Sequence, residues 1–256
     1  MNLAAVIQSM RVPFLLLTPV CVFLGASTVA TSETNTSLLL LVLLGALLAH
    51  ISVNALNEYS DFKSGLDLAT TRTPFSGGSG ALPENPEMSA AVLAVGAVSL
   101  MATLMIGGFF IWKFGTGILP RGIAGLILIM TYTDWINRYP LLCLIAPGIG
   151  FGFLMVVGTQ YVLQGEYVPL SVLVAVIPFF LVNNLLLLNQ YPAIVADAGV
   201  GRNHFPIAYG VSHSNLAYAL FALAATAIII IYVLLGYLPA TSFIALLPMP
   251  LAFFAL

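Results

Sequence analysis

Apolar runs of about 20 residues recur from one end of this chain to the other, each long enough to cross roughly 30 Å of hydrocarbon. In such surroundings backbone polar groups are satisfied only within helices or closed barrels. Barrel strands alternate over segments of about ten residues, whereas these runs are continuous, so strands are excluded. The fold class is therefore all-α, a polytopic transmembrane helical bundle embedded in a lipid bilayer. Spans are expected at residues 12–30, 38–57, 89–112, 116–133, 141–163, 168–190, 212–235 and 240–256, eight in all. A composition of 61% hydrophobic and 6% charged residues excludes an ordinary soluble domain. The first run, after Arg11, is long enough to be a span itself, so no separate signal peptide is read. Cys21 and Cys143 both fall in apolar segments and suggest neither a disulfide framework nor a metal site. The net charge of −2 points to no partner, and nucleic acid is not expected.

Positive charge sets the orientation. Arg11, Lys63, Arg72, Arg138 and Arg202 fall on one side of this topology, against Lys113 and Arg121 on the other, which places the N-terminus in the cytoplasm. The acids are more lopsided still. Glu58, Asp61, Asp67, Glu84, Glu87, Asp134 and Asp197 share the cytoplasmic side, with Glu33 and Glu166 opposite. Acids do not direct topology, so their concentration needs a chemical cause, and an active face would be cytoplasmic.

One such cause lies in "NALNEYSDFKSGLD", residues 54–67, directly after an apolar run. Wound as a helix, His50, Asn54, Asn57 and Asp61 lie within about 40° of one another. A polar stripe entering a membrane must face protein or a water-filled cavity. Ser64-Gly65 breaks the helix, and the chain can turn so that Asp67 points at the same space as Asp61. Two carboxylates beside asparagine amides make a hard oxygen site suited to Mg²⁺, which takes one or two protein carboxylates and leaves other positions for water and phosphate. Lys63 and Arg72 lie in the same loop as phosphate contacts. The alternative is a solvated loop whose acids and bases pair with one another.

"NQYPAIVADAGVGRNHFPI", residues 189–207, echoes that pattern. Asn189, Ala193 and Asp197 fall at i, i+4 and i+8, with Gly199 and Gly201 as helix breakers, Arg202 beyond, and Pro192 able to kink the segment. Asn189 and Asp197 could hold a second metal and Arg202 a phosphate, or Asp197 and Arg202 could simply bracket an exposed loop. Two acid-tipped helices, one in each half of a bundle, suit a diphosphate clamped by metal between them.

These residues resemble a known family, the UbiA-type intramembrane aromatic prenyltransferases. Asn57, Asp61 and Asp67 match its Asn-x-x-x-Asp motif with a downstream Asp. "NEYSDFKSGLD" followed by "RTPFSGGSGALPE" (72–84) is most similar to the 1,4-dihydroxy-2-naphthoate prenyltransferase branch, as is "RVPFLLLTPVCVFLG" (11–25). "NQYPAIVADAGVGRNHFPIAYG" (189–210) resembles the second motif of that branch. The resemblance implies a single domain over residues 1–256 with a central cavity opening sideways to lipid. It implies Mg²⁺-dependent transfer of an isoprenyl group from a prenyl diphosphate to an aromatic acceptor, a quinone precursor such as dihydroxynaphthoate first, within the inner membrane. Asn57, Asp61, Asp67 and Asp197 become the expected metal ligands, and the three aspartates the catalytic residues. Arg11, Lys63, Arg72, Arg138 and Arg202 become diphosphate contacts, with Asn54, Asn189 and Tyr132 also on the substrate.

The chain departs from the family pattern in three places. Ala193 stands where an Asp is usual, removing an oxygen ligand from the second metal site. Eight spans are read where nine are usual, so the last family helix is expected to be missing. "YTDWINRYP" (132–140) replaces a Pro-rich loop. Glu58 and Asp134 are candidates for the base that deprotonates the acceptor ring. His50 is read as an interior hydrogen-bonded residue, and His204 and His213 as loop or helix-start residues. Two rival functions stay open, a small-solute transporter and a weakened homologue acting as a binding protein.

Overall fold

The computed structural model describes residues 2–30, 34–70, 72–73 and 77–254. Glu33, residues 74–76 of the glycine-rich stretch and the last two positions of the final expected span lie outside the described residues. Among the described residues all regular structure is helical. Five helical segments are long and apolar enough to cross a membrane: Thr36–Lys63, Pro86–Phe114, Pro140–Gln164, Pro169–Gly199 and Phe205–Leu234. The other three expected spans differ from straight full-length helices. The first is part of a bent pair, and Thr116–Thr131 and Ala240–Ala252 are shorter apolar helices of 10–17 residues.

The bend in the first pair has a local cause. Helix α1 (Leu3–Ser9) and the following α2 (Val12–Leu15) and α3 (Leu17–Ala26) meet at 47°. Between them Arg11 sits at φ 53°, the one left-handed non-glycine backbone among the described residues. That conformation costs about 1–2 kcal/mol in an L-residue, and such strain persists where the surroundings over-determine it. Pro13 then starts the next turn, where its missing N–H is harmless.

Helix α4 (Thr36–Lys63) starts under an Asn35 cap, whose side chain accepts from the Leu38 amide at 3.1 Å. At 1.5 Å per residue its 28 residues run about 42 Å, so its polar C-terminal turns project past the hydrocarbon. It ends because Gly65 adopts φ 80°, a left-handed geometry open to glycine, and α5 (Leu66–Ala69) turns back. After α6 (Ala81–Glu84), α7 (Ser89–Phe114) packs along α4, with the Ser52 hydroxyl donating to the Gly96 carbonyl at 2.9 Å.

Helix α8 (Leu119–Thr131) precedes α9 (Pro140–Gly148), a π-helical stretch Ile149–Val156 and α10 (Val157–Gln164). Pro147 cannot donate within this segment, and the freed Gly148 N–H donates instead to Asn183 Oδ1 at 2.6 Å. Asn183 belongs to α11 (Pro169–Gln190), which lies so close that a Cβ on Gly152 would meet the Ala175 carbonyl at 2.6 Å. A short turn leads into α12 (Ile194–Gly199). Helix α13 (Phe205–Leu234), kinked at Gly210, packs on α11, and α14 (Met249–Phe254) ends the described chain.

Candidate functional site

Within the bundle, two adjoining hollows share Arg11, Asn57, Tyr132, Leu186 and Asn189 in their walls. The larger, about 420 Å³, is apolar. One face of α4 lines it at Val42, Gly45, Ala46, Ala49, His50, Val53, Asn54 and Asn57, a stripe at helical spacing. The smaller, about 130 Å³, is polar and lies at the ends of α4 and α11.

The polar chamber gathers both sequence clusters. Asp61 arrives on the last turn of α4, Asp67 on α5 behind Gly65, and Asp197 on α12. All three are buried. Arg202 ties the clusters together: one guanidinium nitrogen contacts Asp61 Oδ1, and the other donates to Asp197 Oδ1 at 2.9 Å. Burial opposes the charge on Arg202, but Asp61 and Asp197 outweigh it and raise its pKa. The second oxygen of Asp61 accepts from the Asn57 amide at 2.5 Å, and that amide's own oxygen accepts from Thr133 at 3.2 Å. His204 Nε2 lies 3.0 Å from the second oxygen of Asp197.

Asp67 is different. Its Oδ2 is buried with no hydrogen-bond partner among the described residues, while the Gly78 backbone closes over it so tightly that a Cβ there would lie 2.6 Å from Oδ1. Burial, with Glu58 and Asp61 as like-charged neighbours, pushes its carboxyl up to about 7. An orphaned buried carboxylate oxygen is unfavourable unless a cation or proton joins it. Among the described residues no three His, Cys, Asp or Glu side chains gather closely enough to cage a metal alone. The donor set instead suits a hard divalent cation that keeps positions for water and phosphate.

The glycine-rich stretch is fastened from below. Glu58, fully buried, accepts from the Ser79 amide at 3.1 Å and from the Ser79 hydroxyl, and pairs with Arg11 at 3.4 Å. Glu58 thus holds residues 77–80 over the chamber and sets Arg11 at its wall.

The family model for the UbiA prenyltransferases matches residues 17–256. The chain belongs to the UbiA prenyltransferase family. No curated protein matches it. Among solved structures, a UbiA homologue from Archaeoglobus fulgidus bound to DMAPP and Mg²⁺ superposes with a TM-score of 0.70 at 17% identity, covering 96% of this chain and 82% of that one. The likeness establishes a shared fold.

In this UbiA chain most of the expected site residues converge. Arg11, Asn57, Asp61, Asp67, Tyr132, Asn189, Asp197 and Arg202 all line the polar chamber. Asn54 lines the apolar cavity beside it and donates to the Met10 carbonyl at 2.9 Å, bracing the bend before Arg11. Ala193 places its methyl in the chamber wall.

Three expected contacts are not brought there. Lys63 is exposed, with its ammonium 5.6 Å from the Tyr59 ring centroid, because two residues along a helix turn it about 200° from Asp61. Arg72 pairs with Glu84 at 2.6 Å and donates to the Ser79 carbonyl at 2.9 Å, away from both cavities. Arg138 is exposed at the end of the turn Ile136–Arg138, which points Ile136 and Asn137 inward instead. His213 is exposed but lies within α13, three residues past the Gly210 kink and not in a loop, while His50 bonds to Thr18 at 2.9 Å inside the bundle as an interior hydrogen-bonded residue.

His204 and Asn137 line the chamber without having been singled out for it. His204 is only 2% exposed, and its Nδ1 has no partner among the described residues. The available signal was its place beside Arg202, seven residues after Asp197. Asn137 accepts from the Asn203 amide at 2.8 Å through its carbonyl, tying the second motif to the loop after α8.

Proposed function

We propose that this chain transfers an isoprenyl group from a prenyl diphosphate to an electron-rich aromatic acceptor inside the membrane. The observation that carries the proposal is the junction itself: a chamber of carboxylates and arginines opening into a long apolar cavity, with Tyr132 and Asn189 in both walls. A prenyl diphosphate has the same two-part chemistry. Asp61 and Asp67 with Asn57 are the proposed holders of Mg²⁺, and Asp197 with Asn189 of a second ion. Asp67 supplies the best evidence of fit, since its buried Oδ2 has no partner among the described residues. Bound there, Mg²⁺ would neutralise charge on the leaving diphosphate.

The chain's own groups do the remaining work. Arg202 and Arg11 offer fixed positive charge to phosphate oxygens, and in a site kept from bulk water such charge stabilises the developing anion strongly. Asn57 orients Asp61, and His204 orients Asp197. Tyr132 sits at the junction, where the face of its ring can stabilise an allylic cation. Apolar walls exclude water, which would otherwise consume that cation. Glu58 is engaged with Ser79 and Arg11 and is set aside as the ring base.

The acceptor we favour is a dihydroxynaphthoate-like quinone precursor, on the motif resemblance, and the positive-inside count puts the chamber on the cytoplasmic side of an inner membrane. The acids gather in the polar chamber at the ends of α4 and α11 and not midway along the apolar cavity, which argues against a transport path. Incubating membranes with labelled prenyl diphosphate, Mg²⁺ and a panel of aromatic acceptors tests the proposal. Label in a prenylated aromatic product, absent with chelator, is expected; label in no product from any acceptor overturns it.

Ala193 gives a second test. Replacing it with Asp adds a carboxylate to the chamber wall, and the Ala193→Asp protein is expected to reach half-maximal rate at a several-fold lower Mg²⁺ concentration. An unchanged Mg²⁺ titration would show that this wall position does not meet the metal.

A further inference from the structure

Prenylating a hydroxylated ring releases a proton, and the two acids considered for taking it are placed elsewhere. Glu58 is fully buried against Ser79 and Arg11. Asp134 is exposed, accepts from the Ser60 hydroxyl at 2.8 Å and lines neither hollow. The apolar cavity carries a base of its own in His50, on the face of α4 that also presents Asn54 and Asn57. Seven residues separate His50 from Asn57, about 10 Å of helix. A prenyl diphosphate with its phosphates in the polar chamber places its allylic carbon just inside this stretch of wall.

Two contacts fix the imidazole. Its Nδ1 lies 2.9 Å from the Thr18 hydroxyl on α3, and the Phe151 ring, from the π-helical stretch, meets it edge-on with centroids 4.9 Å apart. The other nitrogen, Nε2, has no hydrogen-bond partner among the described residues, yet it is not shut off from open space. The open space that His50 borders is the apolar cavity, so Nε2 faces it. Asn54 repeats the arrangement one turn away. Its amide nitrogen is given to the Met10 carbonyl, and its amide oxygen is left open to the same cavity. Side chains four apart on a helix are neighbours, so two hydrogen-bond acceptors stand together in an otherwise apolar wall. Such atoms are unfavourable there unless a polar guest meets them.

We infer that His50 Nε2 is the base that takes the hydroxyl proton of the aromatic acceptor, with the Asn54 amide oxygen beside it to orient that hydroxyl. The inference rests on the prenyl-transfer reading and adds to it the acceptor's place and a catalytic residue. With the second ring proton on Nδ1, donated to the Thr18 hydroxyl, Nε2 holds a lone pair. As the ring carbon bonds to the allylic carbon, the C–O bond to diphosphate breaks and its electron pair leaves with the phosphate. The acceptor's O–H proton passes to Nε2, and the O–H electron pair becomes a ring carbonyl bond. The ring regains aromaticity by losing the substituent on the attacked carbon, as a proton or carbon dioxide, while the imidazolium returns its proton to the oxygen.

The test uses the purified full-length protein with Mg²⁺, labelled prenyl diphosphate and dihydroxynaphthoate. His50→Gln keeps a hydrogen-bond acceptor at the site but cannot take the proton. Its kcat is expected to fall by about 10²-fold or more, while the acceptor KM stays within about threefold of wild type. Its affinity for an unreactive prenyl thiolo-diphosphate should match wild type, since His50 lies outside the polar chamber. Thr18→Val, which removes the partner of Nδ1, is expected to lower kcat about tenfold with the same donor affinity. A kcat for His50→Gln within about threefold of wild type overturns the inference while leaving the prenyl-transfer reading standing. A loss of donor binding in step with transfer marks a structural residue and overturns it equally. No transfer by the wild-type protein to any hydroxylated aromatic acceptor overturns both.

Discussion

Asp67→Asn is expected to abolish Mg²⁺-dependent prenyl transfer, lowering the rate by about 10³-fold or more, while the protein stays folded. The loss follows from removing the carboxylate proposed to hold metal beside the leaving group, where electrostatic stabilisation is a large share of catalysis. Stability should move the other way. The unfolded carboxyl ionises near pH 4, whereas burial and the neighbouring Glu58 and Asp61 hold the folded one to about 7. Between those values the folded state binds the extra proton, so metal-free stability falls as pH rises, and the penalty is complete above about 7. Asparagine carries no such penalty. In chelator, the variant's thermal midpoint should exceed wild type at pH 8, and the gap should close as pH falls towards 4. A variant that retains full transfer would remove Asp67 from the metal site. A midpoint below wild type at pH 8 would mean that Oδ2 has a stabilising partner.

Arg202→Met is expected to cost both stability and activity. Arg202 is the cation between two buried carboxylates from opposite halves of the chain. Removing one partner of a buried ion pair typically costs about 3–5 kcal/mol, because the remaining charge is left uncompensated. Here two remain. Thermal unfolding should therefore shift down by several degrees, with Mg²⁺ recovering part of the shift by binding the folded state. Transfer should fall by about 10²-fold or more through loss of the proposed phosphate contact. Arg202→Lys should recover only part, since an ammonium lacks the fork that reaches Asp61 and Asp197 together. An unchanged midpoint in Arg202→Met would show that this bridge carries no net stability.

The polar face of α4 was legible in the sequence because a membrane leaves polar side chains few places to go. His50, Asn54, Asn57 and Asp61 had to face inward together, and Gly65 marked where Asp67 could return. The same reasoning put Asn189, Ala193 and Asp197 in one wall, although the chain between them passes through the short turn Tyr191–Ala193. What misled was proximity along the chain. Lys63 and Arg138 are sequence neighbours of Asp61 and Asn137, yet helix and turn register points them outward. Arg72 found Glu84 twelve residues on, a pairing that only the loop's path reveals. His204 became a site residue because the short loop between α12 and α13 folds it back onto Asp197, seven residues earlier, where its place beside Arg202 was the available signal.

The span count shows a related limit. Apolar length locates hydrocarbon-facing chain but not the breaks within it. The left-handed Arg11 bends the chain just before the first expected span, joining it to a preceding helix at 47°, and residues 240–246 wind as a tighter helix after Pro239. Neither feature has a hydropathy signal. Strain at Arg11 does have a functional context, since it places the guanidinium at the junction of both cavities.

The central claim is that one junction binds a diphosphate through metal and holds its tail in the apolar cavity. Equilibrium binding of an unreactive prenyl thiolo-diphosphate to the purified chain, with Mg²⁺ and with chelator, tests it most directly. Tight binding with Mg²⁺ that weakens about a hundredfold or more in chelator, and likewise in Asp67→Asn, is the predicted result. Equal binding with and without the metal, or binding indifferent to Asp67, would contradict it.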